Sequence, residues 1–181
     1  MASRIARVAA AVLLLLGACW AAMAADDSPE SLEQQVKAAF LFKFIGYVEW
    51  PAEAFADPGS PLVIGVAGDD SLAQELGRVI ARRTMNGRAV SVRQLRSGES
   101  LAGIHMLFAS RSQLARLGEL SAHPRPVLAV TDVAKGLEQG SAINFVTAGN
   151  RVRFEVSLDA AKRNGLKIGA PLLSVAMRVQ E

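Results

Sequence analysis

The stretch Leu62-Val63-Ile64-Gly65-Val66-Ala67 decides the fold, because six consecutive apolar or small residues are followed at once by a turn. A strand that reads as an unbroken apolar run is buried on both faces, which is typical of a parallel sheet. Gly68-Asp69-Asp70 supplies the turn, and a helical pattern follows it. The stretch therefore predicts an interior strand of an α/β domain.

Strand and helix patterns alternate on both sides of this stretch. The other strand patterns lie at 89–95, 104–109, 127–130, 143–146 and 152–158. Helix patterns lie at 31–50, 71–82, 112–120, 159–164 and 171–179. Gly149-Asn150 joins two of the strands and reads as a hairpin turn. The order predicts an α/β three-layer sandwich with a mostly parallel sheet, helices on both faces and an antiparallel edge hairpin.

The first predicted helix begins with a capping signal. Ser31 is expected to be its N-cap, and Gln34, three residues on, completes a capping box. Pro51 cannot continue a helix, so the helix is expected to end before it.

The first 24 residues have the pattern of a bacterial export signal. Arg4 and Arg7 give a positive start, 8–16 is uninterrupted apolar sequence, and Ala22-Met23-Ala24 matches a signal peptidase site. The chain is therefore expected to comprise a signal peptide over 1–24 and one domain over 25–181 that works in the periplasm.

Two other interpretations of this leader stay open. Leu16-Gly17-Ala18-Cys19 resembles a lipobox, and lipidation of Cys19 would tether the chain to a membrane. An uncleaved anchor is the other, although the apolar run is close to the minimum that spans a bilayer.

The composition excludes several classes of function. Arg4 and Arg7 account for two of the 20 basic residues, which leaves 18 against 17 acidic ones after cleavage, too balanced to attract nucleic acid. Cys19 is the only cysteine, so the exported domain has no disulfide. With His105 and His123 as the only histidines, a His-rich metal site is excluded. No nucleophile–base pair or Gly-x-Ser-x-Gly elbow is present, and we expect no enzyme, cofactor or metal.

Two segments offer candidate contacts for a partner protein. Trp50, which follows Tyr47, is the only tryptophan after the leader, and Trp and Tyr are enriched at protein interfaces. Arg151, Arg153 and Glu155 alternate with apolar residues, which places them on one face of a strand. The alternative for Trp50 is a place at the edge of the core. The alternative for the charged strand face is contact with solvent alone.

The ordered set of segments resembles the YfiR family of exported bacterial proteins over essentially the whole domain. The segments are 36–44 with Val48-Glu49-Trp50-Pro51, 63–66 with Gly68-Asp69-Asp70, Ile143-Asn144-Phe145 with 152–156, and 160–161 through 165–168 to 172–173.

This resemblance implies a non-enzymatic, dimeric periplasmic regulator. Family members bind the periplasmic sensor portion of an inner-membrane diguanylate cyclase and hold it inactive, which lowers cyclic di-GMP and biofilm formation. Some relatives carry paired cysteines that confer redox control. The domain here has none, so redox control is not carried over.

The resemblance thus implies a repressor that forms a homodimer and binds a membrane signalling partner. Its candidate partner-binding residues are Tyr47, Trp50, Phe145, Arg151, Arg153 and Glu155. On this hypothesis, Trp50→Ala weakens partner binding more than it lowers the melting temperature. The alternative is a periplasmic small-molecule binding module, accessory to a transporter or receptor. Doubly wound sheets bind ligands at the carboxyl ends of their strands, and that edge would offer Gly68, Asp69, Ser110 and Asp132.

Overall fold

The apolar stretch 62–67 forms an interior strand of an eight-stranded sheet. This computed structural model describes residues 28–181. Glu33–Glu181 make up one compact unit, and the described residues before Glu33 belong to a separate one. The predicted signal peptide at 1–24, its cleavage site and the lipidation site at Cys19 lie outside the described residues.

Ten strands and five α-helices follow one another in the described part of the chain. The strands are β1 (Val48–Glu49), β2 (Leu62–Ala67), β3 (Thr84–Met85), β4 (Arg88–Leu95), β5 (Met106–Ala109), β6 (Leu128–Thr131), β7 (Ile143–Ala148), β8 (Arg151–Ser157), β9 (Lys167–Ile168) and β10 (Arg178–Gln180). The helices are α1 (Pro29–Phe44), α2 (Asp70–Ile80), α3 (Ala115–Ala122), α4 (Leu158–Arg163) and α5 (Ala170–Leu173).

The large sheet is mostly parallel, as the sequence predicts. Its strand order is β10-β8-β7-β6-β5-β2-β4-β3. β4, β2, β5, β6 and β7 run in one direction, so their carboxyl ends meet at one edge, here named the carboxyl edge. The pairs β3–β4 and β7–β8 are antiparallel, and β1 pairs with β9 in a separate two-stranded sheet.

Helices cover both faces of the sheet and confirm the three-layer prediction. One face packs against α1, α2, α4 and α5, with side chains such as Leu41, Leu76 and Leu172 in a shared core with the strands. The other face packs against α3 through Leu117 and Leu120. Each fully buried side chain of this size contributes about 1.5–3 kcal/mol to folding.

The predicted edge hairpin is present, but it is not the outermost element. β10 pairs in parallel with β8 and lies outside the hairpin. The helix predicted at 171–179 is therefore wrong beyond α5. Helix α5 ends at Leu173, and further along the chain the amide of Met177 donates to the carbonyl of Phe154 on β8. Tertiary pairing with an open strand outweighs the helical pattern here.

The first helix also differs from its prediction at both ends. It begins at Pro29 rather than after Ser31, and the hydroxyl of Ser28 accepts the amide of Ser31 at 3.2 Å. The helix ends at Phe44, before a turn in which the amide of Gly46 bonds to the carbonyl of Lys43. The capping box was therefore wrong by one turn.

His105 holds the amino-terminal end of the sheet together. Its Nδ1 accepts the amide of Val63 at 3.1 Å, and Nε2 lies 3.1 Å from the carbonyl oxygen of Ala54, to which it donates in the neutral tautomer. The Phe55 ring stacks on the imidazole, with 4.5 Å between the ring centroids. The Arg88 guanidinium lies over the Phe55 ring, 3.8 Å from its centroid. Burial has the largest effect and lowers the pKa of His105; the hydrogen bond to the Ala54 carbonyl raises it by less, and the charge of Arg88 lowers it least.

His105 is expected to make the protein less stable in acid. Because the pKa is lower in the folded state than its ordinary value of 6.5, the stability it contributes is present above that value and is lost as the pH falls. Urea unfolding at about pH 7.5 and about pH 5 should show a larger loss for the wild type than for His105→Asn. His123→Asn, at an exposed histidine, is the control and should keep the wild-type loss. An equal loss in His105→Asn would contradict this assignment.

Candidate partner-binding surface

Four phenylalanine rings join α1 to the hairpin of β7 and β8. The ring of Phe44 lies 5.6 Å from Phe145 and 5.0 Å from Phe154, and Phe40 lies 6.1 and 5.5 Å from the same two rings. Each such pair is worth about 0.5–1.5 kcal/mol beyond the apolar area it buries. This phenylalanine cluster holds the hairpin by one face and leaves its other face free of α1.

The turn of the hairpin fixes which residues lie on the free face. Gly149 and Asn150 have φ angles of 55° and 57°, the left-handed conformation that a two-residue type I′ turn requires. The register then pairs Ala148 with Arg151 and Phe145 with Phe154. Side chains alternate from this starting point, so Phe154 faces the core and Arg153 faces away from it.

Two arginines dominate the free face of the hairpin. Arg151 and Arg153 are exposed, and neither has a charged partner within the described range 28–181. Glu155, on the same face, is half-buried and forms a 3.0 Å ion pair with Arg178 of β10. These four side chains are named the arginine face. It offers two exposed guanidinium groups on a two-stranded support.

Phe145 does not belong to the arginine face, although the sequence grouped it there. It is 3% exposed and lies in the phenylalanine cluster, on the face of the hairpin that packs against α1. Its register partner Phe154 is equally internal. Phe145 therefore supports the hairpin from inside.

Trp50 and Tyr47 lie at the opposite end of the strands. The indole Nε1 of Trp50 donates to the carbonyl of His105 at 3.1 Å, immediately before β5 begins. Gly149-Asn150 follows the end of β7, which runs parallel to β5 through β6. A strand of six residues spans about 20 Å, so the structure does not bring the six predicted residues into one surface.

The two aromatic residues also differ in exposure. Tyr47 is 43% exposed. Trp50 is half-buried and packs against the main core. Its placement favours the core-edge interpretation that the sequence left open.

Arg178 is the residue of this surface that sequence reasoning missed. The sequence predicted a helix over 171–179, so Arg178 was not expected on a strand beside Glu155. The alternation of Val175, Met177 and Val179 with smaller or polar residues is a strand signal that could have revealed it.

The carboxyl edge of the sheet is occupied by side chains of α1. The carboxylate of Asp132, after β6, lies 2.7 Å from Nζ of Lys37, which also binds Glu33 at 2.7 Å. Asp69 caps α2 by accepting the amide of Leu72 at 2.9 Å, and its other oxygen accepts Nε2 of Gln34 at 3.1 Å. Two carboxylates that the alternative ligand site would use are thus already bonded.

Lys37 stays charged at this position. Burial lowers its pKa, but the hydrogen bonds and charges of Asp132 and Glu33 outweigh that effect and raise the pKa above its ordinary value. Ser110, at the same predicted edge, is also engaged, since its hydroxyl lies 3.0 Å from that of Ser112. Gly68 lies beside these two hydroxyls.

A cavity of about 250 Å³ remains beside the Lys37 ion pair. Its polar end is formed by Glu33, Lys37 and Asp132, and its apolar wall by Val133, Phe145, Val146 and Val152. It is open to solvent. Of the four residues predicted for a ligand edge, only Asp132 lines it.

Residues 28–181 contain neither a metal-binding cluster nor a membrane-spanning helix. No group of three or more His, Cys, Asp or Glu side chains in that range is placed to hold a metal ion. No helix there combines the length and the apolar character needed to cross a bilayer.

The fold and this surface define a doubly wound α/β domain whose carboxyl edge is covered by the first described helix and whose hairpin presents exposed arginines. The chain belongs to the YfiR/HmsC-like family, whose family model matches residues 34–177. This family comprises periplasmic, regulatory proteins that act in general on diguanylate cyclases, and it is not a family of enzymes. The match begins at Gln34, within α1, and ends at Met177, immediately before β10.

Trp50→Ala is now expected to act mainly on stability. The substitution removes a ring from the core and a donor from the carbonyl of His105, which should cost about 2–4 kcal/mol of unfolding free energy. Urea unfolding measures the loss. Tyr47→Ala is the matched control, because that side chain is exposed and its loss should cost less than about 1 kcal/mol. Equal stability of Trp50→Ala and wild type would restore the original hypothesis of an anchor for the partner.

Proposed function

We propose that this chain is a periplasmic repressor that binds the periplasmic sensor portion of an inner-membrane diguanylate cyclase and holds the cyclase inactive. Membership of the YfiR/HmsC-like family supports the regulatory role. The observation that carries the binding mechanism is the pair of exposed arginines, Arg151 and Arg153, on a hairpin fixed by the phenylalanine cluster.

The arginine face suits an acidic surface on the sensor portion. A guanidinium can bind a carboxylate with two parallel hydrogen bonds, and Arg is enriched at interface hot spots. The phenylalanine cluster already packs the hairpin backbone against α1, so little backbone entropy is lost when the hairpin docks. Tyr47, 43% exposed at the other end of the strands, offers a second and separate contact.

Repression requires that the chain prefer one state of the cyclase. A ligand shifts a two-state equilibrium only by the difference in its affinity for the two states. Binding to the periplasmic portion must therefore be tighter when the cytoplasmic catalytic portion is inactive. Release of the repressor would raise cyclic di-GMP and favour biofilm formation.

Two further features belong to this proposal. The chain acts after export, as a domain over 25–181, or as a lipoprotein tethered through Cys19. It acts as a homodimer, so that each dimer can meet two sensor portions. No cofactor or nucleic acid takes part.

Deletion of the gene in the native host is expected to raise intracellular cyclic di-GMP, and deletion of the target cyclase should reverse the rise. Re-expression of wild type should restore the low level. The double variant Arg151→Glu/Arg153→Glu should fail to restore it, because reversed charges repel an acidic partner by several kcal/mol.

Arg96→Glu is the matched control for that experiment. Arg96 is exposed and follows β4, which lies four strands away from β7 and five from β8 in the sheet order. This variant should repress like wild type, and periplasmic levels of all three proteins should be equal by immunoblot. Full repression by the double variant would exclude the arginine face, and an unchanged level after deletion would exclude the cyclase.

A second candidate function is a periplasmic small-molecule binding module, accessory to a transporter or receptor. The cavity of about 250 Å³ beside Lys37 and Asp132 favours it. A ligand that binds only the native state at 100 times its Kd stabilises it by about 2.7 kcal/mol.

A thermal-shift screen of metabolites measures this stabilisation directly. On this second candidate, a ligand raises the melting temperature of wild type. Thr147→Trp should abolish the shift, because Thr147 lines the cavity and a larger side chain fills it. The control Ser174→Trp, at an exposed position outside the cavity, should keep the shift. A screen without any shift would count against this candidate.

A further inference from the structure

The end of the β7–β8 hairpin extends beyond the neighbouring strands of the sheet. β6 pairs with β7 only as far as Asn144, and β10 pairs with β8 only from Glu155 onward. Within residues 28–181, the segments 146–148 and 151–153 therefore pair with each other alone. These segments and the turn between them are named the hairpin tip. Because an isolated two-stranded hairpin is marginally stable in water, packing beneath the hairpin tip decides how well it is ordered.

The cavity at the carboxyl edge lies beneath the hairpin tip. Val152 lines this cavity of about 250 Å³, while its neighbours Arg151 and Arg153 lie on the opposite face of the strand. Thr147, the register partner of Val152, lines the same cavity. A molecule bound there would contact the strand between the two arginines.

The wall of the cavity opposite the hairpin tip is held in place by a buried side chain. Asp132 and Val133 line the cavity from the loop after β6. Asn144, which is 1% exposed, holds this loop. Its Oδ1 accepts the hydroxyl of Thr131 at 2.8 Å and the amide of Val133 at 3.2 Å. A ligand would therefore meet Asp132 in a fixed position and would lose little entropy in ordering it.

Charge at the polar end of the cavity selects the class of ligand. Its charged lining residues are Glu33, Lys37 and Asp132, which leaves one negative charge in excess. Nζ of Lys37 contacts Oε1 of Glu33 and Oδ2 of Asp132. A carboxylate has about four lone-pair sites, so both carboxylates can accept further donors. The excess charge disfavours the phosphate groups that doubly wound sheets often bind and favours an ammonium group.

The apolar wall and the volume select the rest of the ligand. Val133, Phe145 and Val152 belong to this wall, which can bury a hydrocarbon body. At the roughly 30 Å³ that one water occupies in the liquid, the cavity has room for on the order of ten non-hydrogen atoms. Small primary amines with a compact apolar body have this size and this charge.

We propose that the cavity binds a small primary amine with a compact apolar body, and that the bound amine strengthens docking of the arginine face on its partner. The second part rests on the proposed function, and the first part does not. A bound amine joins the fixed loop after β6 to the hairpin tip, so less order is lost when the arginine face docks. Its charge also offsets the negative excess behind Arg151 and Arg153, which favours an acidic partner. Partner binding must then tighten amine binding by the same factor.

Isothermal titration calorimetry of the exported chain tests the amine site. The probe is 2-phenylethylamine, and the controls are the neutral 2-phenylethanol and the anionic phenylacetate. The amine should bind with a Kd roughly tenfold or more below that of the alcohol, and phenylacetate should not bind, because only the ammonium makes charge-assisted hydrogen bonds to the carboxylates.

A matched pair of variants tests the position of the amine. Glu33→Gln should raise the Kd of 2-phenylethylamine by roughly tenfold or more, because it removes one carboxylate from the polar end. Glu53→Gln is the control, since Glu53 is exposed and lies outside the cavity lining. It should keep the wild-type Kd. Thermal unfolding confirms that both variants are folded.

Hydrogen exchange tests whether the amine orders the hairpin tip. With saturating 2-phenylethylamine, the amides of 146–153 in the wild type should exchange more slowly by roughly fivefold or more. The amides of β4, which lies away from the cavity in the sheet order, should keep their rates. At the same concentration, the hairpin tip of Glu33→Gln should show a smaller change because less amine is bound.

Cyclic di-GMP in the native host tests the coupling. Added 2-phenylethylamine should lower the level in a strain that expresses the wild type. It should have a smaller effect with Glu33→Gln and no effect in the deletion strain.

The possible failures are distinguishable. Equal affinity for the amine and the alcohol, or an unchanged Kd in Glu33→Gln, would overturn the amine site. Unchanged exchange of the hairpin tip, or an unchanged cyclic di-GMP level in a host where the wild type represses, would overturn the coupling. A wild type that does not repress at all would overturn the proposed function and the coupling with it, while the calorimetry would still decide the amine site.

Discussion

Packing of α1 on the β7–β8 hairpin is the constraint on which the other features depend. The phenylalanine cluster fixes the helix across the strands, with Lys37 at the carboxyl edge and Trp50 just beyond its other end, beside His105. Because α1 covers one face of the hairpin, the opposite face stays open to solvent. Arg151 and Arg153 are presented there on two strands that the phenylalanine cluster packs against the core.

The same helix changes what the doubly wound fold can do. Such sheets bind ligands where the carboxyl ends of neighbouring strands diverge. Here Lys37 neutralises Asp132, and Gln34 bonds to Asp69, so α1 occupies the polar groups that a ligand would use. Removal of the Lys37 side chain would leave the partly buried carboxylate of Asp132 without its ion-pair partner, which is strongly destabilising. Polar groups at the carboxyl edge are therefore bonded to side chains of α1 instead of being fully available to a ligand. The exposed faces of the domain remain available for protein contacts.

The sequence predicted those parts of the fold that local patterns determine. The apolar run 62–67 and the Gly149-Asn150 turn are such patterns, since burial on both faces and left-handed φ angles each select a few residue types. β10 was missed because its short strand forms only through pairing with β8. Phe145 was misplaced, and the two interpretations of Trp50 stayed open, for a related reason. Aromatic residues are found both in cores and at interfaces, and only the packing of α1 separates the two cases.

Site-specific photo-cross-linking in the periplasm is the most direct test of the central claim, that the arginine face contacts a membrane cyclase. A benzophenone amino acid at position 153 reports any protein within a few ångströms of the hairpin, and position 96 serves as the reference site. The account predicts a covalent adduct with an inner-membrane diguanylate cyclase from position 153 and none from position 96. An adduct from 96 alone, or none from 153 while the chain still represses, would contradict it.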